Sequence, residues 1–261
     1  MARPAATSPW LLEARAVTKR FGGLTAVKNL DLQVAPGALY GLIGPNGAGK
    51  TTVFNLLTGV YEPTDGEIHF AGRRIHGDRP YEIARMGITR TFQNIRLFSD
   101  MTVLENVMTA QHLRAKQTIA EAVVGSRRHH REERETRERA MQLLNIFGLD
   151  SFADEGATSL PYGSQRRLEI ARALATSPKL LLLDEPAAGM NPQEAVELMD
   201  TIRWIRDEFS LTIVLVEHNM KVVMGICETI HVIDHGESIA TGTPAEIQGN
   251  PKVIEAYLGV C

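Results

Sequence analysis

One stretch, Gly44-Pro45-Asn46-Gly47-Ala48-Gly49-Lys50-Thr51, constrains this chain more than any other. Its spacing is GxxxxGK[ST], and its flanks matter as much as its letters. Leu39-Tyr40-Gly41-Leu42-Ile43 is a short apolar run suited to a buried strand, and Thr51 to Leu57 reads as the opening turns of a helix. In a strand, glycine loop, helix setting such a string binds phosphate rather than merely turning the chain. The glycines let the backbone turn its N–H groups inward, because a Cβ would block the approach. Those N–H groups and the helix N-terminus are expected to hold phosphates. Lys50 is placed to reach the β and γ phosphates, and the Thr51 hydroxyl to ligate magnesium.

Composition narrows what surrounds this loop. The 261 residues carry a formal net charge of −3 and 44% apolar residues, enough for a large core. That charge balance gives no support for nucleic acid as a partner. Cys227 and Cys261 lie far apart, so no disulfide framework is implied and a reducing cytosol is the default. No run approaches the ~18 apolar residues a membrane span needs. Residues 1–9 lack an apolar signal region and read as a mobile tail.

Taken in order, Leu11 to Val17 reads as a strand. Val27 to Val34 reads as a half-exposed antiparallel strand, with Leu30, Leu32 and Val34 on one face. Phe21 lies between them, either stacking on a purine or serving as a core or hinge residue. Glu67 to Phe70 and Ile88 onward read as short strands. The pattern then changes: Thr102 to Arg114 and most of Thr118 to Phe147 read as helices, an insertion in an α/β core. Arg127 to Arg139 holds six arginines and four glutamates, with Glu133 and Arg137, and Glu135 and Arg139, as i,i+4 pairs; it reads as a solvated face, with contact to acidic lipid or a partner as the alternative that the glutamates dilute. A helix follows Pro161. Leu180-Leu181-Leu182-Leu183 is a fully buried strand delivering Asp184 and Glu185 at its C-terminal end, where open parallel sheets bind ligands. A helix spans Glu194 to Phe209. Thr212 to Val216 is a strand ending at Glu217-His218, Thr229 to Ile233 is another, and Pro251 to Leu258 is a last helix. The alternation predicts a parallel sheet with right-handed crossovers.

Asp184 ends an apolar strand, where an unpaired charge is costly; a bound magnesium would remove that cost, and a helix cap is the bland alternative. Glu185 is the candidate to polarise an attacking water. His218, at the end of the next apolar strand, and Gln93, at the junction of core and insertion, are weaker candidates when taken singly.

Together these motifs resemble one family. The phosphate loop, Gln93, Tyr162-Gly163, Leu180 to Glu185, and His218 occur in an order and spacing similar to those of ABC-transporter ATPase subunits, over roughly residues 11 to 259. The resemblance implies a P-loop NTPase (RecA-like) core, residues 10–93 and 163–261, with an antiparallel β subdomain, and an inserted α-helical subdomain, residues 94–162. It implies ATP and Mg2+ as ligands. Gly44 to Thr51, with Thr52, would hold the phosphates, Phe21 would stack on adenine, and Gln93 would join Thr51 and Asp184 at the metal. Glu185 would be the catalytic carboxylate and His218 the contact to the γ-phosphate. The family's LSGGQ signature aligns with Leu160-Pro161-Tyr162-Gly163-Ser164, where Tyr162 and Gly163 would face the ATP held by a second ATPase paired head to tail. Pro161 replaces the signature serine and has neither a hydroxyl nor a backbone N–H to give, so a weakened clamp is expected. Asn191 stands where the family usually has aspartate.

Those departures, with Arg166-Arg167-Leu168-Glu169-Ile170-Ala171-Arg172, Glu217-His218-Asn219-Met220 and Ala256-Tyr257-Leu258-Gly259, look like the ATPases of branched-chain amino-acid importers. That class implies two ATPases, two transmembrane permeases and, indirectly, a periplasmic binding protein. The chain would then be peripheral, on the cytoplasmic face of the inner membrane. The alternatives are uptake of urea, amides or other amino acids, and a regulatory nucleotide-binding subunit with a degenerate signature. A DNA-repair ATPase would need a long coiled-coil insertion, and no sustained heptads are present.

Overall fold

A computed structural model describes residues 8–111 and 127–258. The tail expected over residues 1–9 therefore lies mostly outside the described residues, as do residues 112–126 of the two expected helices and Gly259 of the terminal motif.

Two sheets divide the strands. An antiparallel sheet of order β2-β1-β4-β5 holds β1 (Leu12–Phe21), β2 (Leu24–Val34), β4 (Asp65–Phe70) and β5 (Arg73–Arg74). A six-stranded sheet of order β10-β9-β3-β8-β7-β6 holds β3 (Leu39–Ile43), β6 (Ile88–Arg90), β7 (Leu180–Asp184), β8 (Thr212–Val216), β9 (Thr229–Asp234) and β10 (Glu237–Gly242). Strands β9-β3-β8-β7-β6 run parallel, and β10 closes one edge antiparallel. All residues of β3, β7 and β8 are buried, which is why they read as unbroken apolar runs.

The hairpin at Phe21 departs from expectation. Strand β1 does not stop at Val17; it bulges and continues to Phe21, which pairs with Leu24 across Gly22-Gly23. Gly22 takes a φ of +56°, which a two-residue turn of this kind demands and a side chain resists.

The nine described helices are α1 (Lys50–Leu57), α2 (Pro80–Met86), α3 (Val103–Gln111), α4 (Arg127–Ile146), α5 (Tyr162–Ala175), α6 (Pro192–Glu208), α7 (Met220–Ile226), α8 (Pro244–Gln248) and α9 (Pro251–Leu258). Two apolar cores flank the parallel sheet. One joins the antiparallel sheet to Tyr40, Leu42, Val53, Phe54, Leu180 and Leu182. The other joins Leu39, Ile43, Leu181 and Leu183 to Val107, Leu144 and Leu168, so α3, α4 and α5 share a core with the opposite sheet face. On α4 the ion pairs are not the expected ones. Glu135 pairs back to Arg131 at 3.9 Å, and Arg137 reaches Asp154 at 3.9 Å. Arg139 instead donates from Nε to the Glu135 carbonyl at 3.2 Å.

Candidate functional site

Parallel strands put their C-terminal ends on one edge, and that edge collects the site. β3 runs into the glycine loop, β6 into Thr91-Phe92-Gln93, β7 into Glu185, and β8 into Glu217-His218.

Close backbone approach fixes the glycine loop. A Cβ on Gly44 would lie 2.0 Å from the Ile233 carbonyl, and one on Gly49, at φ +106°, 2.6 Å from the Ala26 carbonyl. Gly236 braces the loop by donating its N–H to the Ala48 carbonyl at 2.9 Å. Helix α1 starts at Lys50 with no acidic residue in its first turn, so its free N–H groups and dipole favour an anion. Thr51 is exposed there and Thr52 half-buried; Asn46 and Gly47 are exposed on the loop, Pro45 is half-buried and Ala48 is buried beneath it. The Lys50 ammonium donates to the Gly44 and Pro45 carbonyls at 2.7 and 2.8 Å. Burial lowers its pKa, and the nearby Glu185 and Asp184 carboxylates oppose that.

Gln93 and His218, weak candidates alone, meet on one carboxylate. The Gln93 amide donates to Glu185 Oε2 at 3.1 Å, and His218 Nε2 lies 2.8 Å from Glu185 Oε1. Glu185 itself sits at φ +49°, a left-handed conformation that costs on the order of 1–3 kcal/mol for a residue with a side chain. Its N–H continues the sheet by donating to the Val216 carbonyl at 2.8 Å.

Asp184 answers the burial question in a third way. Its charge is met by Arg90, whose Nη2 donates to Oδ2 at 2.7 Å, with both side chains under 10% exposed. Arg90 also donates to Asn55 Oδ1 at 2.6 Å and lies against the rings of Phe54 and Phe92. Glu217 is the other participant that sequence reasoning missed. Buried, it accepts the N–H groups of Ala187 (2.8 Å), His218 (3.1 Å) and Asn219 (3.2 Å), tying the turn after Glu185 to the His218 loop. Burial pushes its carboxyl pKa up, against the pull of those amides.

Phe21 is 41% exposed, so it is not a core residue; it packs edge-on against Tyr61 with Lys19 beside the ring. Tyr162 and Gly163 open α5. The Tyr162 ring covers Gly189, where a Cβ would lie 2.9 Å from it, and Tyr162 is 48% exposed. A Cβ on Gly163 would meet only the Glu194 carboxylate, at 3.6 Å, so nothing within this chain demands glycine there. Pro161 is the N-cap of α5 and offers no side-chain cap.

Among the described residues no group of three or more His, Cys, Asp or Glu side chains is placed to hold a metal by itself. Asp184 and the Thr51 hydroxyl are hard oxygen donors. Such a sparse set suits magnesium, which retains waters and takes its remaining ligands from phosphate oxygens. No helix among the described residues is long and apolar enough to cross a membrane.

Comparison with known proteins places these features in context. A family model described as "ABC transporter" matches residues 27–188, and one described as "Branched-chain amino acid ATP-binding cassette transporter" matches residues 237–260. The chain is 48% identical over 249 residues to the high-affinity branched-chain amino acid transport ATP-binding protein LivG of Escherichia coli, covering 95% of this chain and 98% of that protein. Among solved structures, the ADP conformation of an ATP-binding cassette of an ABC transporter superposes with a TM-score of 0.83 at 29% identity, covering 96% of this chain and 99% of that one. A dimeric post-hydrolysis cassette bound to ADP and Pi gives 0.77 at 26% identity, covering 89% of this chain and 98% of that one.

Proposed function

This chain belongs to the ABC transporter family as an ATP-hydrolysing, nucleotide-binding subunit, and from that membership we propose how its own residues work and what they serve. The observation that carries the reading is the meeting of Gln93 and His218 on Glu185, at the strand edge that also bears Lys50 and Asp184.

In this reading the loop Gly44 to Thr51, with Thr52, grips the triphosphate, and Phe21 stacks on the adenine. Lys50 leaves the Gly44 and Pro45 carbonyls for the phosphate oxygens. Thr51, Asp184 and Gln93 would hold magnesium, whose charge would offset that of the phosphates; Asp184 also accepts from Arg90 at Oδ2. Glu185 orients a water on the γ-phosphorus and takes its proton, while Gln93 and His218 fix where its carboxylate points. His218 also contacts the γ-phosphate. Tyr162 and Gly163 face the nucleotide of a second ATPase paired head to tail. The cassette dimer among the similar structures, and the absence of any contact among the described residues that demands glycine at Gly163, support this. The complex would include two transmembrane permeases and, indirectly, a periplasmic binding protein, and the chain would sit peripherally on the cytoplasmic face of the inner membrane.

The transported class we propose is branched-chain amino acids, supported by the 48% identity to a LivG protein and the match of the C-terminal segment. A tag on this subunit would purify the native complex for an ATPase assay. Stimulation by leucine, isoleucine or valine with the binding protein present is expected. Stimulation by urea or short amides alone would overturn the substrate class. Pro161 favours a second reading, a regulatory subunit, and magnesium-dependent turnover lost on Lys50→Ala would dismiss it.

A further inference from the structure

Arg166 is a charged side chain only 2% exposed, and none of the chemistry above uses it. It lies one turn into α5, and its guanidinium reaches across to the segment that carries Gln93. Nη1 donates to the Phe92 carbonyl at 2.6 Å and to Glu169 Oε2 at 3.2 Å. Nη2 donates to the Gln93 carbonyl and to the Tyr162 hydroxyl, the latter at 3.1 Å. Glu169, also 2% exposed, completes the clasp by accepting the Phe92 N–H at 3.2 Å. Phe92-Gln93 is thus held at two carbonyls and one amide by a single buried ion pair.

A buried ion pair is weak grounds for stability, since apolar residues of like volume often hold a fold as well. Apolar residues cannot fix neighbouring carbonyls, however, and a lysine, with three donors on one nitrogen and no planar fork, cannot serve both carbonyls, Glu169 and the Tyr162 hydroxyl together. The segment held this way is the one whose amide reaches Glu185, 3.1 Å away. The same guanidinium touches Tyr162, at the exposed start of α5. We infer that Arg166, with Glu169, is a positioning residue for Gln93, setting the backbone from which its amide meets Glu185 and making that setting responsive to what Tyr162 contacts. The inference rests on the reading of Gln93 and Glu185 given under the proposed function.

A mutant cycle on the intact transporter complex tests it, using Gln93→Ala, Arg166→Lys and the double variant. Steady-state ATP turnover would be measured with the affinity for a non-hydrolysable Mg-ATP analogue and the melting temperature. Arg166→Lys is expected to lower kcat about tenfold or more, with KM and analogue affinity within about twofold, because a small misplacement near the reacting atoms costs that much. The double variant is expected to be no slower than Gln93→Ala alone. Multiplying losses, an unchanged kcat, or a parallel loss of melting temperature and analogue affinity would overturn the inference. Should Arg166→Lys not fold, Glu169→Gln keeps an oxygen for the Phe92 amide while removing the charge, and it must show the same absence of multiplication. If Gln93→Ala itself leaves kcat unchanged, the reading of Gln93 fails first and takes the inference with it. A normal Gln93 effect beside an independent Arg166 effect defeats the inference alone.

Discussion

Glu185 carries a left-handed backbone and two side-chain partners, so its carboxylate is aimed rather than free to rotate. Its neighbour Asp184 is restrained differently, by one buried arginine. Removing one partner of such a pair strands the other charge, a loss of roughly 3–5 kcal/mol. Arg90→Ala is therefore expected to melt well below the unaltered chain and to regain much of the difference when Mg-ATP analogue is added, since magnesium would then neutralise Asp184. Thermal melts with and without the ligand read this directly. An Arg90→Ala chain that melts like the parent in the absence of ligand would show that Asp184 needs no counter-charge.

At the scale of elements, the β9–β10 hairpin contains a buried histidine that sequence gave no reason to single out. His231 is 2% exposed, its Nε2 2.8 Å from Ser238 Oγ and its Nδ1 2.9 Å from Thr241 Oγ1. Burial pulls its pKa down to about 4, with Asp31 pulling weakly the other way. The unfolded chain titrates near 6.5, so below that pH it binds a proton the folded chain refuses. Stability is whole above about pH 6.5 and falls as pH drops toward 4, by about 3 kcal/mol in all. Urea midpoints across that window would show the slope. His231→Gln should flatten it, and an equal slope in the variant would assign the effect elsewhere. This hairpin also marks where the sequence stopped being legible. β7, β8 and α9 were readable because each is a local pattern: an apolar run, or a helix started by proline. β10 has no such signal, because it is a polar edge strand whose pattern is weak. The Gly22-Gly23 hairpin was present as a signal and passed over. Arg90 and Glu217 were beyond reach for another reason. Each has its meaning only through a partner 94 or 30 positions away, and spacing along the chain does not tell which distant strand end will lie beside it. Gln93 and His218 were placed by resemblance to a family; residue chemistry alone left both weak until the sheet set them on one carboxylate.

For the whole molecule, the proposed head-to-tail pairing raises the question of how two half-sites would share one cycle. In the proposed reading this chain's Lys50, Thr51, Asp184 and Glu185 serve one site, while its signature-like segment offers Pro161 where a serine would donate. In a pair of different ATPases, Glu185→Gln here is expected to cost more transport than the equivalent change in the partner, whose nucleotide must use Pro161 to Ser164. Equal losses would count against that asymmetry. The account as a whole depends on Glu185 acting on water at the nucleotide gripped by residues 44–51. The most direct measurement is single-turnover hydrolysis of Mg-ATP by a complex in which the partner ATPase has lost its own phosphate-loop lysine, so that only this chain's site is read. With Glu185→Gln, Mg-ATP binding should stay within a few-fold while hydrolysis falls by about 100-fold or more; hydrolysis at the unaltered rate would contradict the account.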